Sequence, residues 1–206
     1  MLNAENLGRN VVVIGASAGG VEALIGLFAS LPADLPAAVG VVVHRSPIPG
    51  GYLTSVLGSR APLPVVEAVH MAPFSPGCIY VAPPDHHMVL HDSHTCINQG
   101  PKENGHRPAI DPLFRSSARC YGPRVVGVLL SGLGRDGVAG LDAITKSGGL
   151  LLVQDPDEAK FSAMPSNAIR SGHVDGILSL KEIAETLAIF AMGGAVEPRS
   201  DQRANV

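Results

Sequence analysis

Tryptophan is absent and aromatic side chains make up only 4% of the chain. That is too few to build a stacking platform for unpaired bases. Charge is scarce too: Asp, Glu, Lys and Arg make up 16%, and the formal net charge is −3. No basic run is long enough to follow a phosphate backbone, so a nucleic-acid partner is excluded. The three cysteines, Cys78, Cys96 and Cys120, stand far apart with no C-x-x-C pair. This rules out a disulfide framework and fits reduced thiols in a cytoplasmic protein. No segment approaches the roughly 18 uninterrupted apolar residues of a membrane span, so no membrane insertion is expected. The stretch from Met1 to Asn10 is polar and lacks the apolar core of a signal peptide.

What is present is aliphatic. Hydrophobic residues make up 46% of 206 residues, enough for one α/β domain with a substantial core. Residues 11–14, 39–43, 125–130 and 150–153 are near-continuous apolar runs. Runs apolar on both faces predict central parallel strands covered by helices on each side. Helical spacing over 20–30, 52–59, 112–121, 138–147 and 180–190 separates them, a βαβ pattern. Between these, 63–69, 78–81, 87–91 and 95–98 are short and flanked by Pro, Gly and Asp turns. They read as hairpins forming an antiparallel extension at one sheet edge. The expected fold is α/β, a doubly wound and mostly parallel sheet with helices on both faces. The expected domain runs over 10–191, between an N-terminal tail at 1–9 and a C-terminal tail at 192–206.

Two glycine-rich turns follow strands. The first is Gly15-Ala16-Ser17-Ala18-Gly19-Gly20, a literal G-x-S-x-G. Such a turn suits either a nucleotide pyrophosphate or an exposed nucleophilic serine. The second is Ser131-Gly132-Leu133-Gly134-Arg135-Asp136-Gly137, in which Gly132, Gly134 and Gly137 spell G-x-G-x-x-G. Asp155 ends the next strand, about where a ribose-binding acid would sit. A non-catalytic dinucleotide-binding module is therefore one reading. It leaves the first turn unexplained and places the Asp136 carboxylate where a phosphate would repel it.

The other reading uses both turns. Ser17 ends the first strand, His44 ends the run VGVVVH, and Asp136 follows a third strand. In open α/β sheets the loops at that edge form the site. A serine hydroxyl needs a base to take its proton, histidine suits that role near neutral pH, and a carboxylate fixes the histidine tautomer. Plainer roles exist for each: Ser17 and Asp136 as helix N-caps, His44 as a satisfied strand end. The order Ser, His, Asp differs from the α/β-hydrolase order of Ser, Asp, His.

The stretches GASAGG at 15–20, VVVHRS at 41–46, IYVAPPDHHM at 79–88, GHRPAIDPLF at 105–114, LLSGLGRDGVAGL at 129–141 and FSAMPSNAI at 161–169 occur in order. With them, residues 10–190 resemble the catalytic domain of the chemotaxis protein-glutamate methylesterases, the CheB family. The resemblance implies hydrolysis of glutamate methyl esters on chemoreceptor helices, with deamidation of receptor glutamines as a second activity. It implies Ser17 as nucleophile, His44 as base and Asp136 as its partner. The backbone of Ala18, Gly19, Leu133 and Gly134 would hold the oxyanion or substrate. No cofactor and no metal are implied. The first strand begins near Asn10, which leaves no room for the receiver domain common in the family. The expected relatives are units that stand alone or are joined to a methyltransferase, with chemoreceptor helices and a methyltransferase as partners. An intact set of three residues is also compatible with an inactive receptor-binding relic.

Two further features carry weight. Asp85, His86, His87, His91, Asp92 and His94 invite a metal reading, but the spacing matches no structural zinc pattern and hairpin residues are expected. Asp111 with Pro112 reads as an N-cap and first-turn pair, and Arg107 just before them is a candidate contact for an acidic substrate helix.

Overall fold

The Val-rich runs form the middle of a seven-stranded parallel sheet in this computed structural model, which describes residues 9–45, 52–172 and 174–194. The expected tails at 1–9 and 192–206 lie mostly outside the described residues. Arg9, the last residue of the first tail, is tied down: its guanidinium donates to the carbonyls of Pro123 and Gly148.

In chain order the strands are β1 (Val11–Ala16), β2 (Ala38–Val43), β3 (Val65–Glu67), β4 (Ala72–Pro73), β5 (Cys78–Val81), β6 (His87–His91), β7 (His94–Asn98), β8 (Val125–Leu129), β9 (Leu150–Gln154) and β10 (Gly176–Leu178). The helices are α1 (Gly20–Ala29), α2 (Leu53–Gly58), α3 (Ile110–Tyr121), α4 (Val138–Lys146), α5 (Ala163–Arg170) and α6 (Leu180–Ala191). The main sheet runs β10-β9-β8-β1-β2-β5-β3. Strand order reverses where β1 meets β8, and the loops after their C-terminal ends open a crevice there.

Side chains alternate along β1. Val12, Ile14 and Ala16 enter the core beneath α1 and α6, while Val11 and Val13 enter the core beneath α3 and α4. Burial on both faces explains the unbroken apolar run. On one side Leu24, Leu27 and Phe28 of α1 meet Ile183, Leu187 and Phe190 of α6. On the other, Ile110, Leu113 and Phe114 of α3 pack with Leu141 and Ile144 of α4. No helix among the described residues is long and apolar enough to cross a membrane.

Two expectations need correction. Residues 78–81 and 65–67 are not hairpins: β5 pairs parallel with β2, and β3 pairs parallel with β5. Ile79 and Val81 are fully buried, so these strands close the core under α2 rather than extend an edge. The antiparallel part is a separate three-stranded sheet, β4-β7-β6, lying on α3, where the Leu90 amide donates to Ser116 Oγ.

Three elements escape the sequence pattern. One is α5, which none of the helical spacings covers. Pro165 falls in the first turn, where the missing N–H has no intrahelical partner to lose. The others are β10, three residues long, which pairs in parallel with β9, and β4, two residues long, which pairs antiparallel with β7.

Candidate active site

Ser17 sits directly after β1, and its amide continues the β1–β8 ladder by donating to the Ser131 carbonyl at 3.0 Å. It is not the N-cap of α1. Gly19 is, with φ of 71°, a left-handed conformation that favours glycine. The Ser17 hydroxyl is left to reach His44 Nδ1 at 3.1 Å. His44 follows β2 and is held by its amide to the Ala16 carbonyl. Its Nε2 lies 2.7 Å from Asp136 Oδ2. The side chains of His44 and Asp136 are 6% and 2% exposed.

A carboxylate only accepts, so Nε2 carries the ring proton and Nδ1 is the bare nitrogen that faces the hydroxyl. The usual serine-protease arrangement has the two nitrogens the other way round. The nitrogen that touches serine is here the one next to the backbone side of the ring.

Asp136 is surrounded by donors. Oδ2 also accepts the Ile110 amide at 2.7 Å. Oδ1 accepts Asn104 Nδ2 at 2.8 Å, the Gly137 amide at 3.0 Å and the Asp111 amide at 3.3 Å. Burial by itself would push this carboxyl up. The hydrogen bonds from His44, Ile110 and Asn104, with the charge of His44, overcome it and hold Asp136 below the ordinary carboxylate range. Asp136 therefore serves the first turn of α3 as well as His44. The cap of its own helix α4 is Gly137.

The two glycine turns are laced together. Ser131 Oγ donates to the Ala18 carbonyl and accepts the Phe161 amide. The Ser131 amide goes to Gln154 Oε1, and the Gly132 amide to the Phe161 carbonyl. A Cβ on Gly132 would lie 2.8 Å from Ser17 Cβ and collide with the Met164 methyl. Gly132 is bare because it approaches the serine, while Gly134 and Gly137 take left-handed φ of 87° and 97°. Asp155, the expected ribose ligand, instead accepts the Asp157 amide in a tight turn.

The other expected site residues divide. Ala18, Gly19, Leu133 and Gly134 lie in the two turns that face each other across Ser17. Among the described residues, the amides of Ala18 and Leu133 have no acceptor in the protein. Arg107 is not brought into the group. Its guanidinium binds Asp85 Oδ1 at 2.9 Å and donates to the carbonyls of Gln99 and Gly100. Asp111 is not an N-cap. Ala109 holds that position, and Asp111 Oδ1 accepts the Gly140 amide in α4 at 2.7 Å. In the histidine cluster, His87 is buried, with Nε2 at the Pro101 carbonyl and Nδ1 accepting the Ala109 amide, while His91 is exposed beside Asp92. Among the described residues no three His, Cys, Asp or Glu side chains group as metal ligands would.

Sequence reasoning missed His106 and Asn104. His106 stacks on His44 with ring centroids 3.6 Å apart and an 11° interplanar angle. Burial, then the charge of His44, pushes the His106 ring below the ordinary histidine value, with Asp136 opposing. The only sequence signal is the GHRP motif, which contains His106 and directly follows Asn104.

Fold and site together define an α/β protein carrying a hydrolase-type Ser–His–Asp arrangement at a topological switch point. The family model described as CheB methylesterase matches residues 12–187. A relative from Methanosarcina mazei named protein-glutamate methylesterase/protein-glutamine glutaminase 2 is 37% identical over 87% of this chain and 51% of its own. A Leptospira interrogans relative, named a putative enzyme of the same kind, is 35% identical over 84% of this chain and 91% of its own. The crystal structure of the Thermotoga maritima CheB methylesterase catalytic domain superposes with a TM-score of 0.82 at 31% identity, covering 88% of this chain and 98% of that one. The chain belongs to the CheB methylesterase family. It spans about half the length of several of the curated relatives it matches.

Proposed function

We infer that this chain hydrolyses glutamate methyl esters on the cytoplasmic helices of chemoreceptors, releasing methanol, and that it also deamidates receptor glutamines. The observation that carries the reading is the unbroken hydrogen-bonded line from Ser17 through His44 to Asp136. The names of the relatives supply the substrate class.

His44 Nδ1 takes the Ser17 proton as the hydroxyl oxygen attacks the ester carbonyl. Asp136 stabilises the resulting imidazolium through Nε2–H. On this reading the amides of Ala18 and Leu133, which meet no acceptor among the described residues, receive the oxyanion, with Gly19 and Gly134 supplying the turn shape. Collapse breaks the C–O bond, and the His44 Nδ1 proton leaves with methoxide as methanol. Water then attacks the acyl-serine, His44 takes its proton, and glutamate departs with Ser17 restored. For glutamine the first leaving group is ammonia.

Leu133 is 53% exposed and Phe161 37%, on the two loops beside Ser17. They provide apolar contact for the glutamyl methylenes and the neighbouring helix surface. The reaction as drawn uses the chain's own side chains and backbone amides and no cofactor, and it belongs in the cytoplasm, where methylated receptor helices are found.

The test is methanol release from methylated receptor by this protein and by Ser17→Ala. Release that persists in Ser17→Ala at the original rate refutes the reading. Dinucleotide binding without release would favour the module reading of the second glycine turn.

A further inference from the structure

Asp136 is not held by His44 alone. Asn104, in the loop before α3, donates from Nδ2 to Asp136 Oδ1 at 2.8 Å and to Asp111 Oδ2 at 2.9 Å. An amide nitrogen has two hydrogens, and both are spent here. The side chain thus bridges two carboxyl residues that are 2% and 4% exposed. Its backbone φ of 52° is left-handed, a conformation asparagine adopts more readily than most residues.

The two carboxyls cap helices crosswise. Asp136, from the loop before α4, accepts the Ile110 and Asp111 amides at the start of α3. Asp111, from α3, accepts the Gly140 amide in the first turns of α4. Asn104 ties the two together. The arrangement has an electrostatic difficulty, since two neighbouring buried carboxylates disfavour each other's charge. Burial and the charge of Asp136 push the Asp111 carboxyl up, against the Gly140 and Asn104 hydrogen bonds and the charge of Arg115. Asp136 must stay ionised to accept His44 Nε2–H. A neutral side chain that donates to both carboxyls and accepts from neither is the group such a gap requires.

We propose that Asn104 is a positioning residue for the esterase site: its amide, oriented by Asp111, holds the Asp136 carboxylate in the rotamer that reaches His44 Nε2. The inference rests on the esterase reading above. The charged and titratable groups around the bridge are His44 at the end of β2, His106 stacked on it, Asp111 and Arg115 on α3, and Arg135 beside Asp136. Asp142 on α4 and Arg135 also line a cavity of about 410 Å³ whose wall includes Asn104 and Asp111.

The experiment follows the rate at which a fluorophosphonate labels Ser17, as a function of pH, in the unchanged protein, Asn104→Gly and Asn104→Asp. Glycine removes the amide without straining the left-handed backbone. Aspartate keeps the shape but replaces a donor with a third carboxyl. Asn104→Gly is expected to label about 10–100-fold more slowly across the pH range, with an unfolding midpoint near that of the unchanged protein. Asn104→Asp is expected to move the acid limb of the profile to higher pH, because added negative charge favours the His44 imidazolium. A role confined to folding would lower the fraction of labelled protein without moving that limb. Asn104→Asp labelling at the original rate with an unmoved limb overturns the proposal, including where Asn104→Gly does not fold. Loss of labelling in Ser17→Ala and its presence in the unchanged protein secure the esterase reading independently. Unchanged protein that does not label at all brings down that reading and this inference with it.

Discussion

His106 lies flat on His44, with ring centroids 3.6 Å apart and planes within 11°. One face of the His44 ring is therefore closed to water, and the ring is kept in the plane that spans Ser17 and Asp136. His106→Ala is expected to lower kcat/KM on methylated receptor about 100-fold, the scale of an ångström's misplacement of a catalytic group. His106→Phe keeps a flat ring and should retain most of the rate. Equal rates for the two variants would show that stacking has no part in orienting His44.

Stability should depend on pH through His106 and through Asp136, with the raised Asp111 carboxyl acting in the opposite sense to Asp136 in the acidic range. Burial lowers the folded-state value of His106 below its unfolded value of about 6.5. The unfolded chain then binds the proton first, so this contribution is complete above about pH 6.5 and is lost as pH falls toward the folded value. Asp136 is depressed below about 3.9, so its contribution is present above that pH and is lost as pH falls through the folded value. Urea unfolding between pH 3 and 8 checks both windows. His106→Phe should flatten the upper one and leave the lower one in place.

Gly132→Ala is expected to cost about 1–3 kcal/mol, since the added methyl meets Met164 and Ser17 together. Pairing it with Met164→Ala removes one collision but not the other. Because Met164 is itself buried, the two substitutions together should cost less in thermal unfolding than the sum of their separate losses, while esterase activity should not return. Full recovery of activity would mean that the Ser17 contact is not what excludes a side chain at Gly132.

Asp136→Asn is expected to lower kcat by roughly 10⁴-fold, as tautomer reversal does in related triads. The amide oxygen can still accept the Ile110 amide or the His44 proton, but the carboxamide cannot serve every donor that now surrounds Asp136. Ser17 labelling and circular dichroism, measured together, separate lost chemistry from lost fold.

Arg107→Gln should act on stability rather than on substrate affinity, because the guanidinium is occupied by Asp85 and two backbone carbonyls. A loss of about 1–2 kcal/mol with unchanged KM is expected. A raised KM with unchanged stability would restore Arg107 as a contact for an acidic substrate helix.

The doubly wound architecture was legible because it rests on local pattern. Strands buried on both faces, such as β1 and β8, need apolar residues at every position, and helices need them at a different spacing. The ends of three such runs carry Ser17, His44 and Asp136, and parallel strands bring their C-terminal ends to one edge. Where pattern is short, it misled: β3 and β5 look like hairpin strands because three or four residues cannot reveal whether one face or two are covered. Pro165 is tolerated in α5 because it falls in the first turn, a placement no local pattern marks.

By itself, then, the sequence determined the fold class, the crevice edge and the three residues set there, through periodicities and turns that operate within a dozen residues. Tertiary structure decided which nitrogen of His44 faces Ser17, why Gly132 must be bare, that Arg107 is occupied by Asp85, and that Asn104 and His106 attend the site. Each of these depends on groups far apart in the chain meeting within a few ångströms, and no local pattern encodes such a meeting.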